Sequence, residues 1–249
     1  MEILGLDIGG TGIKGAVIDT ETGELLTERY RQLTPQPSTP GNISIAIKGI
    51  IEKLNYKGDI VGLGFPTLIR NGIAQFATNI DDSWLNVNIA ERLGQLTGHR
   101  YFVANDADTA GLAEAVFGSR KEKGLVIFLT IGTGIGSALI FNGELIPNSE
   151  LGRIEFKGRR AEDYTSNKTR KEKGMSWKTF GKRLNAFLNY LDMLFSPQLI
   201  ILGGGVCKKM EKYHEYIKTD VPVVQSEFLN AAGVIGAAYY AAKESKKGK

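Results

Sequence analysis

The sequence lacks the residues that build covalent or metal frameworks. One cysteine (Cys207) and two histidines (His99 and His214) are too few for a disulfide network or a structural zinc site. Proline is scarce, at 7 of 249 residues, which argues against a low-complexity, disordered chain. Apolar runs such as residues 125–129 and 199–202 fall far short of the roughly 20 residues a membrane helix needs. The N-terminus has no basic segment ahead of an apolar one, so no secretory signal is expected. These absences predict a cytoplasmic protein with no membrane partner, and a net charge of +4 says little about partners.

Glycine is in excess. It supplies 31 of the 249 residues, about one in eight, against an average usage of roughly 7%. Much of the excess belongs to an internal repeat. Residues 8–18 read IGGTGIKGAVI and residues 131–140 read IGTGIGSALI, and both copies run on to Gly-Glu-Leu, at 23–25 and 143–145. From Thr11 and Thr133 onward the offset is 122 residues, about half the chain. Each copy sits after an apolar strand, at 3–6 and 125–129, and reads as a strand, a glycine turn and a returning strand. Gly10, Gly12 and Gly15 match the spacing of a dinucleotide fingerprint, but a strand follows where that motif requires a helix, so it is rejected.

Between and after the repeats, strand and helix patterns alternate. Helical spacing is read at 43–54, 89–96, 108–117, 176–195 and 230–243, and strands at 60–65, 101–104 and 199–202. Residues 157–174, polar and basic without periodicity, read as a loop. The expected fold is α/β: two duplicated domains with an interdomain cleft. The boundaries fall at 1–108 and 109–249, with a C-terminal helix of about 236–249 packing back on the first domain.

Glycine turns at strand ends expose backbone N–H groups and let an anion approach, and threonine hydroxyls add donors. Three such sets stand out: Asp7, Gly9, Gly10, Thr11 and Lys14; Thr130, Gly132, Thr133 and Gly134; and Gly203 with Gly204. Any one alone reads as a tight turn, whereas three, two of them duplicates, read as a phosphate clamp. Lys14 reads either as a phosphate-neutralising group or as an exposed strand lysine. Asp106 follows a strand and opens a helix, where a carboxylate can take a proton from a hydroxyl or cap the helix beside Asn105 and Asp108.

The segments Asp7–Lys14, Asn105–Asp108, 130–136 and 199–206, with Gly64-Phe-Pro, Asn79-x-Asp81-x-Ser-Trp84 and Asn230-x-Ala-Gly233, resemble the ROK family. This is the sugar-kinase branch of the actin-like, ribonuclease H-like ATPase superfamily, and the likeness is strongest to its polyphosphate glucokinases. The resemblance covers almost the whole chain. It implies two actin-like domains, a homodimer, and phosphorylation of the 6-hydroxyl of glucose with inorganic polyphosphate, or also ATP, as donor. Asp106 would be the general base, and Asn79, Asn105, Glu150, Arg153 and Glu162 would contact the sugar. Mg2+ would travel mainly on the donor phosphates, near Asp7, with no metal site built from protein alone. The cysteine-rich zinc motif of many relatives is absent, so no structural zinc is expected.

Two positions depart from the family pattern. Arg153 stands where Glu-x-Gly-His has histidine, and arginine only donates where histidine can also accept. Thr67 stands where glycine is common. Residues 153–183 carry 11 Lys or Arg against 4 Asp or Glu, which suits either a solvated loop or a polyanion held by counterion release. Lys168, Arg170, Lys171 and Lys173 are the candidates for a polyphosphate contact. The alternatives are an ATP-dependent ROK kinase of another hexose or amino sugar, and a sugar-binding relative without catalysis. DNA-binding relatives need a further N-terminal domain, and with the first glycine loop starting at residue 7, nucleic acid is not an expected partner.

Overall fold

The protein is described from a computed structural model covering residues 1–77 and 80–247. The chain divides into two compact units, Met1–Ala113 with Ala231–Lys249, and Glu114–Asn230.

In the first unit, strands β1 (Glu2–Gly9) and β2 (Gly12–Asp19) form an antiparallel hairpin closed by Gly10 and Thr11. β3 (Tyr30–Gln32) adds to its outer side, and helix α1 (Pro40–Lys53) follows, capped by Thr39, whose hydroxyl accepts from Asn42 N. β4 (Ile60–Phe65) pairs parallel with β1. Helix α2 (Ile89–Thr97) leads into β5 (Arg100–Asn105), parallel to β4, and β5 runs straight into helix α3 (Asp106–Phe117). The sheet order is β3-β2-β1-β4-β5. Ile43, Ala46, Ile47 and Ile50 of α1 are buried with Leu4, Leu6, Val61 and Leu63 in one core.

The second unit repeats the plan. β6 (Leu125–Ile131) and β7 (Ile135–Phe141) form the antiparallel hairpin, β8 (Glu144–Ile146) pairs outside it, and β9 (Leu199–Gly203) and β10 (Val223–Gln225) extend it in parallel. The order β8-β7-β6-β9-β10 matches the first sheet strand for strand. The two copies diverge after the hairpin. Glu144–Ile146 pairs as a ladder, whereas Leu25 of the first Gly-Glu-Leu makes a single bridge to Ile18.

Residues 157–174 are not a loop, which corrects the sequence reading. They contain a short strand, Arg159–Arg160, and two short helices, α4 (Ala161–Thr165) and α5 (Asn167–Glu172). Neither helix is long enough to show a 3.6-residue period, and capping sets their ends. The Ser166 hydroxyl accepts from Thr169 N at 3.2 Å, and Arg170 stacks its guanidinium 4.0 Å from the ring of Trp177. That ring opens α6 (Trp177–Phe195), whose Phe180, Leu184, Phe187, Leu188 and Leu191 are buried in a core with Ile127, Leu129, Ile200 and Leu202. α7 (Gly204–Cys207) is a single turn after β9.

The last helix, α8 (Ala232–Lys247), belongs to the first unit and packs on β1 and β4. Its backbone lies so near these strands that a side chain at Gly5 or Gly62 would collide with the carbonyl of Val234 or Ala237. That contact explains glycine in the middle of two core strands, where it otherwise weakens pairing.

Candidate active site

Three parallel strand ends assemble the first half of the site. Asp7 pairs with Gly64 between β1 and β4, while Gly64 pairs with Ala104 and Phe65 with Asn105 between β4 and β5. Asp7, the Gly64–Thr67 segment and Asn105–Asp106 therefore sit side by side at carboxyl ends, where parallel sheets gather ligand groups. Across the hairpin Asp7 also pairs with Lys14, and Lys14 Nζ donates to Asp7 Oδ2 at 2.6 Å. Lys14 thus stands in an ion pair with Asp7 across the hairpin. At the turn, Arg31 donates to Thr11 O at 3.3 Å and the Thr34 hydroxyl donates to Gly9 O.

The Asn105 side chain joins two elements. Its Nδ2 donates to Thr67 O at 2.9 Å, and its Oδ1 accepts from Ala107 N at 2.8 Å and Asp108 N at 3.4 Å. It caps α3 and holds the segment after β4. Thr67 is buried and turned into its own loop, where its hydroxyl donates to Phe76 O and accepts from Phe76 N at 3.2 Å. Asp106 is partly exposed at the first residue of α3, with Ala107 N donating to its Oδ1 at 2.9 Å. Asp108 is buried, 1% exposed. Asn79 lies outside the described residues. The rest of its motif is an anchor: Asp81 Oδ1 accepts from Ser83 N at 2.9 Å, and buried Trp84 donates from Nε1 to Ser38 O at 2.8 Å and meets Phe65 edge-on.

In the second unit, Thr130 at the end of β6 lies between Gly203 of β9 and Gly136 of β7, and residues 132–134 form the turn. Gly204 opens α7 directly after β9. The start of α5 is fastened to the turn, with Asn167 N and Lys168 N donating to Gly132 O at 3.1 and 3.3 Å. A cavity of about 490 Å³ opens there, lined by Gly132, Thr133, Asn167, Lys168, Lys171 and Glu172. Two of the four basic candidates, Lys168 and Lys171, therefore face the second glycine turn. Arg170 instead binds Trp177, Asn167 Oδ1 at 3.2 Å and Met175 O at 3.4 Å, and exposed Lys173 ends α5.

Glu150, Arg153 and Glu162 come together in the same unit. Arg153 Nε lies 3.1 Å from Glu150 Oε2, and Arg160 Nη1 lies 3.1 Å from Glu162 Oε1. Glu162 Oε2 accepts from Ile135 N at 3.4 Å, against Gly134, where a Cβ would fall 2.5 Å from that oxygen. Burial pushes the Glu150 carboxyl above its ordinary range, the Arg153 charge pulls it down, and the Glu162 charge pushes it up again. Arg160 and Asn167 are the residues sequence reasoning missed. The signal available for Arg160 was its spacing of three from Asp163, which it binds at 2.8 Å. Among the described residues, no group of three or more His, Cys, Asp or Glu is placed to hold a metal ion.

Comparison with known proteins adds a family and its relatives. The ROK family signature matches residues 3–152. A polyphosphate glucokinase of Mycobacterium tuberculosis (strain CDC 1551 / Oshkosh) is 38% identical over 236 residues, covering 94% of this chain and 89% of that protein. The crystal structure of an inorganic polyphosphate/ATP-glucomannokinase from Arthrobacter sp. strain KM superposes with a TM-score of 0.89 at 42% identity, covering 98% of this chain and 99% of the other. A ROK family glucokinase from Streptomyces griseus, solved with glucose and AMPPNP, has a TM-score of 0.81 at 23% identity, covering 98% of this chain and 100% of the other, and speaks for the fold alone.

Proposed function

The chain belongs to the ROK family, and from that membership we propose that it is a sugar kinase, transferring a phosphoryl group from inorganic polyphosphate to the 6-hydroxyl of glucose, with ATP as a second donor. It is a phosphotransferase with an alcohol acceptor. The observation that carries the reading is the pairing of β1, β4 and β5, which sets Asp7, near the first glycine turn, and Asp106, at a helix start, at the carboxyl ends of one sheet with β4 between them.

Phosphoryl transfer needs held phosphates, neutralised charge and an oriented acceptor hydroxyl. Asp106 takes the proton from the sugar hydroxyl as its oxygen bonds to the terminal phosphorus, and the bridging P–O bond breaks to release a polyphosphate one unit shorter. The turns at Gly9, Gly10 and Thr11 and at Gly132, Thr133 and Gly134 offer backbone donors to the phosphates, with Thr130, Gly203 and Gly204 beside the second turn. Mg2+ brought by the donor would neutralise charge on the transferred group. Asp7 is the residue that would hold it, since a lone carboxylate with phosphates and water is a donor set Mg2+ accepts.

Lys168 and Lys171 on the cavity at the second glycine turn support polyphosphate as donor, because a chain longer than the site can continue along them. Asn79, Asn105, Glu150 and Glu162 are the proposed sugar contacts, with Arg153 held to Glu150. The Glu150–Arg153 pair favours a second reading, acceptance of another hexose beside glucose. A sugar panel assayed with polyphosphate and ATP in parallel tests both. Glucose turnover with polyphosphate supports the first, and no turnover with any pair leaves a sugar-binding relative. A cytoplasmic homodimer without nucleic-acid or membrane partners completes the proposal. No described helix is long and apolar enough to cross a membrane, and light scattering in solution tests the dimer.

A further inference from the structure

Two carboxylates in the second unit, Glu150 and Glu162, act on each other through their charges, and each has its own arginine. Glu150 meets Arg153 at 3.1 Å, and Glu162 meets Arg160 at 3.1 Å. The backbone beneath Glu150 is fixed from both sides: Ser137 Oγ on β7 donates to Ser149 O at 2.9 Å and accepts from Leu151 N at 2.9 Å. Glu162 is fixed through Ile135 N. The pair is therefore held in place by its surroundings, and its like charges oppose each other.

We propose that Arg153 is a positioning residue for the sugar acceptor: by holding one oxygen of Glu150 at 3.1 Å it keeps that carboxylate set to accept hydrogen bonds from sugar hydroxyls. This rests on the sugar-kinase reading and deepens it on the acceptor side. Arg153 acts through Glu150 and contributes nothing to the proton transfer at Asp106.

Two charged groups among the described residues act on Glu150. Arg153 comes from its own turn, and Glu162 reaches it from α4. Beyond Glu162 stand Arg160 and Asp163, which bind each other at 2.8 Å. β7, which packs against the turn Leu151–Arg153, is IGSALIF and carries no charge. Arg153 is thus the cation in direct contact with Glu150, opposed by burial and by Glu162, both of which favour the protonated acid. A protonated Glu150 would lose acceptor capacity toward a hydroxyl. The sign follows: removing Arg153 lets Glu150 hold its proton to higher pH, so sugar binding is lost earlier as the pH falls.

The experiment measures glucose affinity without donor, and kcat/KM for glucose, from pH 5 to 9 in Arg153→Gln and Arg153→Lys. In Arg153→Gln the acid limb of both quantities moves up by about one pH unit, glucose binding at pH 6 weakens several-fold, and near pH 8.5 it approaches wild type. The KM for polyphosphate stays constant, and Arg153→Lys restores most of the limb. An unmoved limb with weakened binding at every pH overturns the proposal, as does an Arg153→Lys no better than Arg153→Gln. If Arg153→Gln does not fold, Arg153→Lys decides alone: a limb within half a unit of wild type supports the proposal, and a larger shift overturns it. Failure of the kinase reading looks different, because wild type would then bind glucose without phosphorylating it from either donor.

Discussion

Gly233, at the start of the C-terminal helix, faces the carboxylate of Asp7 so closely that a Cβ there would lie 2.8 Å from Asp7 Cγ. The same carboxylate is held from the other side by Lys14 at 2.6 Å. Asp7 is therefore fixed between a cation and a helix backbone. Gly233→Ala, a change that favours the helix by about 1 kcal/mol in propensity, should still push Asp7 aside. We predict at least a tenfold loss of kcat with the KM for sugar little changed. Wild-type kcat in this variant would remove Asp7 from the donor side.

The basic stretch divides by its contacts: Lys168 and Lys171 line the cavity at the second glycine turn, and Arg170 lies against Trp177. Lys168→Gln with Lys171→Gln should raise the KM for long polyphosphate much more than for ATP. It should also flatten the dependence of log KM on log salt by a slope on the order of one to two. Equal effects on both donors would return these lysines to ordinary solvation. Arg170→Gln should instead leave the donor ratio alone and lower stability by about 1 kcal/mol, through loss of the contact with Trp177. Donor kinetics and a urea titration read the two effects separately.

Glu114 is 2% exposed and accepts from Ser226 Oγ at 2.6 Å and from Glu227 N and Phe228 N at 2.9 Å each. Glu114→Ala leaves three donors without an acceptor, and a loss of about 2–4 kcal/mol is expected. Glu114→Gln keeps an acceptor oxygen and should lose less. Urea midpoints of the two variants check the order, and equal midpoints would contradict it.

Tyr101 is 7% exposed, and burial pushes its phenol up to about 12. The unfolded chain ionises this group near pH 10, so above that pH the folded state binds more protons than the unfolded one. Stability should therefore fall between about pH 10 and 12, by up to about 1.4 kcal/mol per pH unit for this residue. Tyr240, also pushed up to about 12 by burial, acts in the same direction. Tyr101→Phe should flatten the alkaline decline in a denaturation series, and an unchanged slope would show that Tyr101 does not contribute to it.

The duplication could be read from the sequence because it lies in the glycine turns, and turns fix register. Once 8–18 and 131–140 are each a hairpin, matching strand orders follow. The Asp7–Lys14 pair is also within reach of the sequence, because a turn at Gly10 and Thr11 places residues 7 and 14 opposite each other. Residues 157–174 carry no helical signal in the sequence because helices of five and six residues show no period. Their order comes from the Ser166 cap and the Arg170–Trp177 contact, and the second depends on tertiary placement. Pairing of Glu150 with Arg153 could be inferred from a spacing of three, whereas the pairing of Glu162 with Arg160 and Ile135 N depends on how α4 meets the second glycine turn.

Asp106 is proposed to take the proton from the sugar hydroxyl in a transfer from polyphosphate to glucose. Asp106→Asn keeps the shape of the side chain and removes its basicity. Glucose 6-phosphate formation measured with polyphosphate, alongside donor and glucose binding, tests the claim directly. We predict a loss of at least a hundredfold in kcat, with both affinities within a few-fold of wild type. Turnover near the wild-type rate would contradict it.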